Sequence, residues 1–157
     1  MTNDKLNFLL QTLPSLLRKL DPATEPHWGK MNVQQMVEHM CDSVREANGK
    51  TPRTLKIEEE RIPKMKEFLL SDKEFRPNTK NALMGDEPFP VRNKSFDAAI
   101  DEIESELKDF EQHYKSNPDS VITNSFFGHL DFNEWTHLLY KHAVHHLKQF
   151  GVLIGER

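Results

Sequence analysis

Lys141-His142-Ala143-Val144-His145-His146-Leu147-Lys148-Gln149-Phe150-Gly151 reads as the end of a helix whose core-facing side carries imidazoles where leucines would be usual. His142 and His146 stand at i and i+4, about 40° apart around a helix axis and close enough to share one ion. Trp135, Leu138, Leu139 and Gln149 fall on the same face. The stripe that buries this helix therefore leads into the histidine pair, so the imidazoles point into the protein. Five of the 8 histidines lie between His129 and His146, which concentrates the chemistry at this end of the chain.

Upstream, the same helical period recurs. Asp131 and Glu134 form a capping box that opens the last helix, predicted over residues 132–149 and stopped by Gly151. Phe96, Ile100, Ile103, Leu107, Phe110 and Tyr114 mark a helix over 96–115, with acidic residues outward and Ser116-Asn117-Pro118 as its stop. Asn32 and Gln35 form a second capping box, opening a helix over 33–47 that ends at Asn48-Gly49. Leu6, Leu9, Leu10, Leu13, Leu16, Leu17 and Leu20 give a first helix near 5–20, with Pro14 in its interior and Asp21-Pro22 ending it.

Residues 49–94 shift toward Pro, Lys and Glu, with one amphipathic piece near 64–70 and turn signals at Pro77, Gly85, Pro88 and Pro90. No segment reads as a convincing strand, and there is no internal repeat. The expectation is an all-α fold: a four-helix bundle with an elaborated connection between the second and third helices.

At 157 residues the chain suits one domain, residues 1–157, with a single core. A 29% charged fraction beside 36% hydrophobic residues is that of a folded water-exposed protein and well outside the disordered regime. No apolar run approaches the roughly 20 residues of a membrane span. The first residues lack the basic and apolar regions of a signal peptide, and Cys41 is a lone cysteine, so the cytoplasm is the expected location. A net charge of -4 offers no basic footprint for nucleic acid.

Two imidazoles do not make a stable metal site, so a third must come from elsewhere. His39 is the candidate. On its helix Val33, Val37, Met40 and Val44 form the apolar stripe, while His39 lies on the neighbouring flank with Asn32, Met36 and Ser43. From the residues alone, His142 and His146 are either metal ligands or buried neutral histidines held by Trp135 or the backbone.

The segment Trp28-Gly29-Lys30-Met31-Asn32-Val33-Gln34-Gln35-Met36-Val37-Glu38-His39-Met40-Cys41-Asp42-Ser43 resembles the start of the second helix in the DinB/YfiT-like superfamily. His142-x-x-His145-His146-x-x-Gln149 resembles that superfamily's last-helix motif, and Phe126-Phe127-Gly128 with Trp135 resembles an uncharacterised branch of it. The likeness covers both ends of the chain and leaves residues 49–94 largely unmatched. It implies a bundle with a three-histidine divalent metal site formed by His39, His142 and His146, often in a homodimer. Relatives include thiol-dependent transferases and proteins described as metal-dependent hydrolases.

His145 projects about 80° from the mean direction of the pair, and belongs beside the ligands or on the surface rather than among them. Asp42 is either the acceptor of the free His39 N–H or a solvated acid. Gln149, three residues after His146, is a candidate hydrogen-bond partner for a ligand or its bound water. Cys41 shares the apolar side of its helix and reads as a buried inert thiol. Trp28 either walls a pocket or anchors its loop, and His27, His113, His129 and His137 read as solvated. A zincin protease is excluded, because Ala143 stands where the general-base Glu would follow the first histidine. A di-iron carboxylate bundle is excluded too, since the one Glu-x-x-His spacing, Glu134 to His137, faces away from the pair.

Three neutral histidines leave a position open on Zn, Ni, Mn or Fe. The expected function is therefore a metal-dependent enzyme, hydrolase or thiol-dependent transferase, acting on a small molecule with water or a low-molecular-weight thiol as the nucleophile. Residues 49–94 and 117–130 would cover the site and select the substrate. No second catalytic acid or base is evident on the histidine face. The alternatives are a non-catalytic, metal-stabilised dimeric module for binding or sensing, and a bundle whose histidines merely pack.

Overall fold

A computed structural model describes residues 2–77 and 87–152, and is mostly helical. The expected turn at Gly85 lies outside the described residues. The leucine-rich N-terminal segment forms α1 (Thr2–Asn7), a π-helical turn (Phe8–Thr12) and α2 (Leu13–Lys19) without a break. Pro14 explains the widened middle. It has no N–H, and its ring clashes with the carbonyl one turn back, so the preceding turn expands. The N–H of Leu13 reaches the carbonyl of Phe8, five residues back.

α3 (Val33–Ala47) and α6 (Phe132–Gln149) begin where the capping boxes place them. In each the Asn32 or Asp131 side chain accepts the N–H of the third helical residue, whose own side chain accepts the cap N–H in return. Between them come α4 (Ile62–Leu70), after a short 3-10 turn at Glu59–Arg61, and the long α5 (Phe96–Ser116). α5 is capped by the Ser95 hydroxyl, which accepts the N–H of Ala98.

α3 packs along α5, and α6 packs against α1, α3 and α4. Their apolar stripes meet in a core that includes Leu17, Met36, Val37, Ile103, Phe110 and Trp135. Among the described residues, no helix is long and apolar enough to cross a membrane.

The expectation of no strand is corrected. β1 (Ile122–Asn124) and β2 (Gly128–Leu130) form a two-stranded antiparallel ribbon, with Thr123 opposite His129. Three residues per strand are too few to show a period of two. The turn is set instead by Asn124, whose side-chain oxygen accepts the N–H groups of Phe126 and Phe127. Gly128 closes it at φ 96, where a Cβ would stand 2.8 Å from Ile62 Cγ2. Trp135 ties the ribbon to α6 by donating its indole N–H to the Ile122 carbonyl at 3.0 Å.

Candidate metal centre

One turn of α6 separates His142 from His146, and the α3–α6 packing brings His39 to the same point. His142 Nε2 lies 2.9 Å from His39 Nε2 and 3.0 Å from His146 Nε2, with one nitrogen of each ring within 4.8 Å of the others. The three rings stand nearly edge to face, at 75° to 84°.

Their protonation follows from this position. Burial pushes His39 down to about 4, aided by the nearby His145. Burial also holds His142 and His146 well below the ordinary imidazole value, and their neighbouring histidines add to the effect. All three rings are therefore neutral at pH 7. A neutral ring nitrogen offers one hydrogen or one lone pair in the ring plane, so His142 Nε2 can form a sound hydrogen bond to one of its two close neighbours but not to both. A cation at the point of convergence satisfies all three. Nitrogens bound to a tetrahedral ion at roughly 2.0–2.1 Å stand about 3.3 Å apart; the two spacings at His142, 2.9 and 3.0 Å, lie near that value, and the third is within 4.8 Å.

His146 is oriented from behind. The Gln149 side-chain oxygen lies 2.7 Å from His146 Nδ1, and the Gln149 amide nitrogen donates to the Trp28 carbonyl at 2.9 Å. Because that second bond fixes which end of the amide is oxygen, His146 carries its proton on Nδ1 and presents the lone pair at Nε2. Gly29, at φ 79, makes room: a Cβ there would lie 2.9 Å from the Gln149 amide nitrogen. The His27 N–H adds a clamp on the Gln149 backbone carbonyl at 2.7 Å. Trp28 thus anchors its loop through its carbonyl, while its ring packs 5.4 Å from that of His145.

Asp42 does not accept the His39 N–H. Its carboxylate pairs with Arg92 at 3.0 Å, since the segment before α5 brings a full positive charge within reach, a stronger attraction than a neutral imidazole offers. His145 stays outside the cluster, half-buried between Trp28 and Phe75. Cys41 is fully buried, and burial pushes its thiol well up. Among the remaining histidines, His27 and His129 are exposed and His137 bonds to the Asn133 carbonyl one turn back in its own helix. The expectation for His113 is corrected: it is half-buried, 2.9 Å from the Ser120 hydroxyl, because the turn after α5 folds back over it. Glu134 serves the α6 cap and pairs with Lys66.

Three residues with no role in the sequence reading shape the surroundings. Lys141 is 7% exposed and donates to the carbonyls of Ser71 and Lys73, its ammonium 4.5 Å from the centre of the Phe68 ring. It holds the chain after α4 so that Phe75 lies 6.5 Å from the ring of His142. Glu38, 3% exposed, accepts the N–H groups of Arg92 and Asn93 together with both the Asn93 and Gln34 amides. Burial works to raise its pKa, and these donors outweigh it and hold the carboxyl below the usual range. A lysine or glutamate in a helical stripe reads as a solvated face, so composition gave no sign of either. The proline-flanked stretch at 88–90 was the one available hint that an ordered loop returns here.

Searches of family models, of curated proteins and of solved structures each returned no match for this chain.

Proposed function

We propose that His39, His142 and His146 bind one divalent ion, Zn, Ni, Mn or Fe, with a position left open, and that the chain is a metal-dependent enzyme acting on a small molecule. The observation that carries this reading is the convergence of three neutral imidazole nitrogens that protons alone cannot all satisfy. Bound there, the ion would lower the pKa of a water or of a low-molecular-weight thiol, the chemistry of a hydrolase or a thiol-dependent transferase. The chain's own part is to keep the rings neutral by burial, to fix the His146 tautomer through Gln149, and to limit water with Phe75 and Trp28. The wider reading is a DinB/YfiT-like four-helix bundle in a homodimer in the cytoplasm. It is supported by the likeness of the His39 and His142–His146 segments, and the lone buried Cys41 suits a reducing compartment.

A second reading, a non-catalytic dimeric module for binding or sensing, draws support from Asp42. The acid best placed to act as a base is already paired with Arg92, and among the described residues no carboxylate bonds to the three rings.

The test is metal content by mass spectrometry after reconstitution with each ion, for the wild type and for His39→Ala, His142→Ala and His146→Ala. Occupancy near one per chain is expected, falling sharply in every variant, while His145→Ala and His137→Ala stay loaded. Full content in His39→Ala would sink the assignment. A panel of thiols and small electrophiles on the loaded protein then separates enzyme from module, and sedimentation tests the dimer.

A further inference from the structure

The cleft that borders His39, between Gln35, Phe89 and Arg92, has a volume of about 20 Å³, enough for a single water. A small molecule needs another way to the imidazoles. At His142 the chain leaving α4 crosses α6 as a strap over residues 71–75.

Three α6 side chains tie this strap down. Lys141 donates to the carbonyls of Ser71 and Lys73, the His145 ring bonds to the Phe75 backbone, and Lys148 pairs with Glu74 at 2.5 Å. Positions 141, 145 and 148 stand at i, i+4 and i+7, so all three rise from one face of the helix. His142 and His146 each follow a member of this ladder by one residue, which sets the strap beside the candidate ligands.

The one apolar residue of the strap is Phe75. Its ring stands nearly perpendicular to His142 at 6.5 Å and to His145 at 5.8 Å, and it also packs with Phe68 and Phe127. Asp72, Lys73 and Glu74 are exposed, and among the described residues no backbone hydrogen bond joins 72–75 to the rest of the chain. A segment held by one ring and a few side-chain bonds opens at far lower cost than the helix it crosses.

We propose that residues 71–75 form a lid over the imidazole cluster, latched by Lys141 and seated by Phe75, whose lifting admits the ion and a small molecule to His142. The inference rests on the metal reading for what passes, but the lid can be tested with and without the ion. Zn-loaded protein is mixed with excess chromogenic chelator, and metal-free protein with Zn, and both rates are followed by stopped flow. Lys141→Met and Phe75→Ala should each speed release and uptake together by about tenfold and leave Kd within about twofold, because a lid lies on the path and at neither end of it. Lys66→Met, which removes a comparable lysine tie from α4 to the His129 carbonyl, should alter neither rate. Circular dichroism confirms that the variants fold; should Lys141→Met not fold, Phe75→Ala decides alone.

Unchanged rates in the strap variants, faster release alone with affinity lost, or equal acceleration in Lys66→Met overturns the lid and leaves the metal reading standing. If the protein takes up no Zn, the metal reading fails on its own. Acylation of the metal-free protein by diethyl pyrocarbonate, which attacks neutral imidazole, then decides the lid. Mapped by mass spectrometry, His142 should react far more slowly than the exposed His27, and faster in both strap variants. A wild-type rate equal to that of His27, or one that the variants leave unchanged, ends it.

Discussion

Gln149 and His146 are joined at 2.7 Å, side-chain oxygen to Nδ1, and the other end of the same amide is held by the Trp28 carbonyl. The loop before α3 therefore sets the tautomer of a residue at the end of α6. Gln149→Leu removes the acceptor while keeping much of the side-chain volume. Metal affinity measured by chelator competition should fall about 10- to 100-fold, with circular dichroism unchanged. An unaltered affinity would show that Gln149 does not orient His146.

Gly29→Ala should act on the same pair from the other side. The substitution forces a side chain into positive φ and against the Gln149 amide nitrogen, at a cost of roughly 1–2 kcal/mol. A thermal melt should drop by roughly 3–6 °C. Metal affinity should weaken in parallel with Gln149→Leu, and the double variant should be little worse than either single one. Full additivity would separate the two residues.

Acid should weaken the metal-free protein earlier than its carboxylates would. In the unfolded chain His39 gains a proton near pH 6.5, whereas in the folded protein it resists until about 4. Between those values the unfolded state holds more protons, so stability falls as pH falls; above 6.5 His39 contributes no slope. The shift is worth up to about 3 kcal/mol, and the lowered His142 and His146 act in the same direction. Urea melts of chelator-treated protein from pH 7 to 5 should show the decline, shallower in His39→Ala. A flat profile would contradict the buried neutral rings.

Glu38→Ala should loosen the loop that carries Phe89. Two backbone N–H groups and the Asn93 amide lose a buried acceptor, at a combined cost of roughly 2–4 kcal/mol. Amide exchange at Arg92 and Asn93 should accelerate well beyond that at Ala98, the first N–H capped in α5. Unchanged exchange would mean that Glu38 does not hold the loop.

What the sequence disclosed follows the range of the interactions. The α3 and α6 starts are coded within four residues, by Asn32 with Gln35 and Asp131 with Glu134, so both were readable. His39 was a candidate because helical spacing sets it on the flank beside the stripe that packs on α5, and its role as third ligand came from the resemblance of its segment to a known family. Pro14 announced a disturbance, though not that a π turn would absorb it without ending the helix. Asp42 was open between two readings and took neither, because its partner Arg92 lies 50 positions away in a proline-rich stretch with no periodicity. Lys141 was invisible for the same reason: its acceptors are the carbonyls of Ser71 and Lys73, which any residues at those positions would supply.

The contact between His39 and His142 spans 103 positions of chain. An ion shared by those rings would fasten two distant stretches of polypeptide as a crosslink does, removing from the unfolded ensemble the freedom of a loop about as long as many small domains. Such a tie, unlike a disulfide, opens and closes with the free concentration of the ion rather than with redox state. The lifetime of the folded chain under denaturant or protease would then be set by how fast the ion escapes, and a cell short of that ion would hold the same protein in a more perishable form.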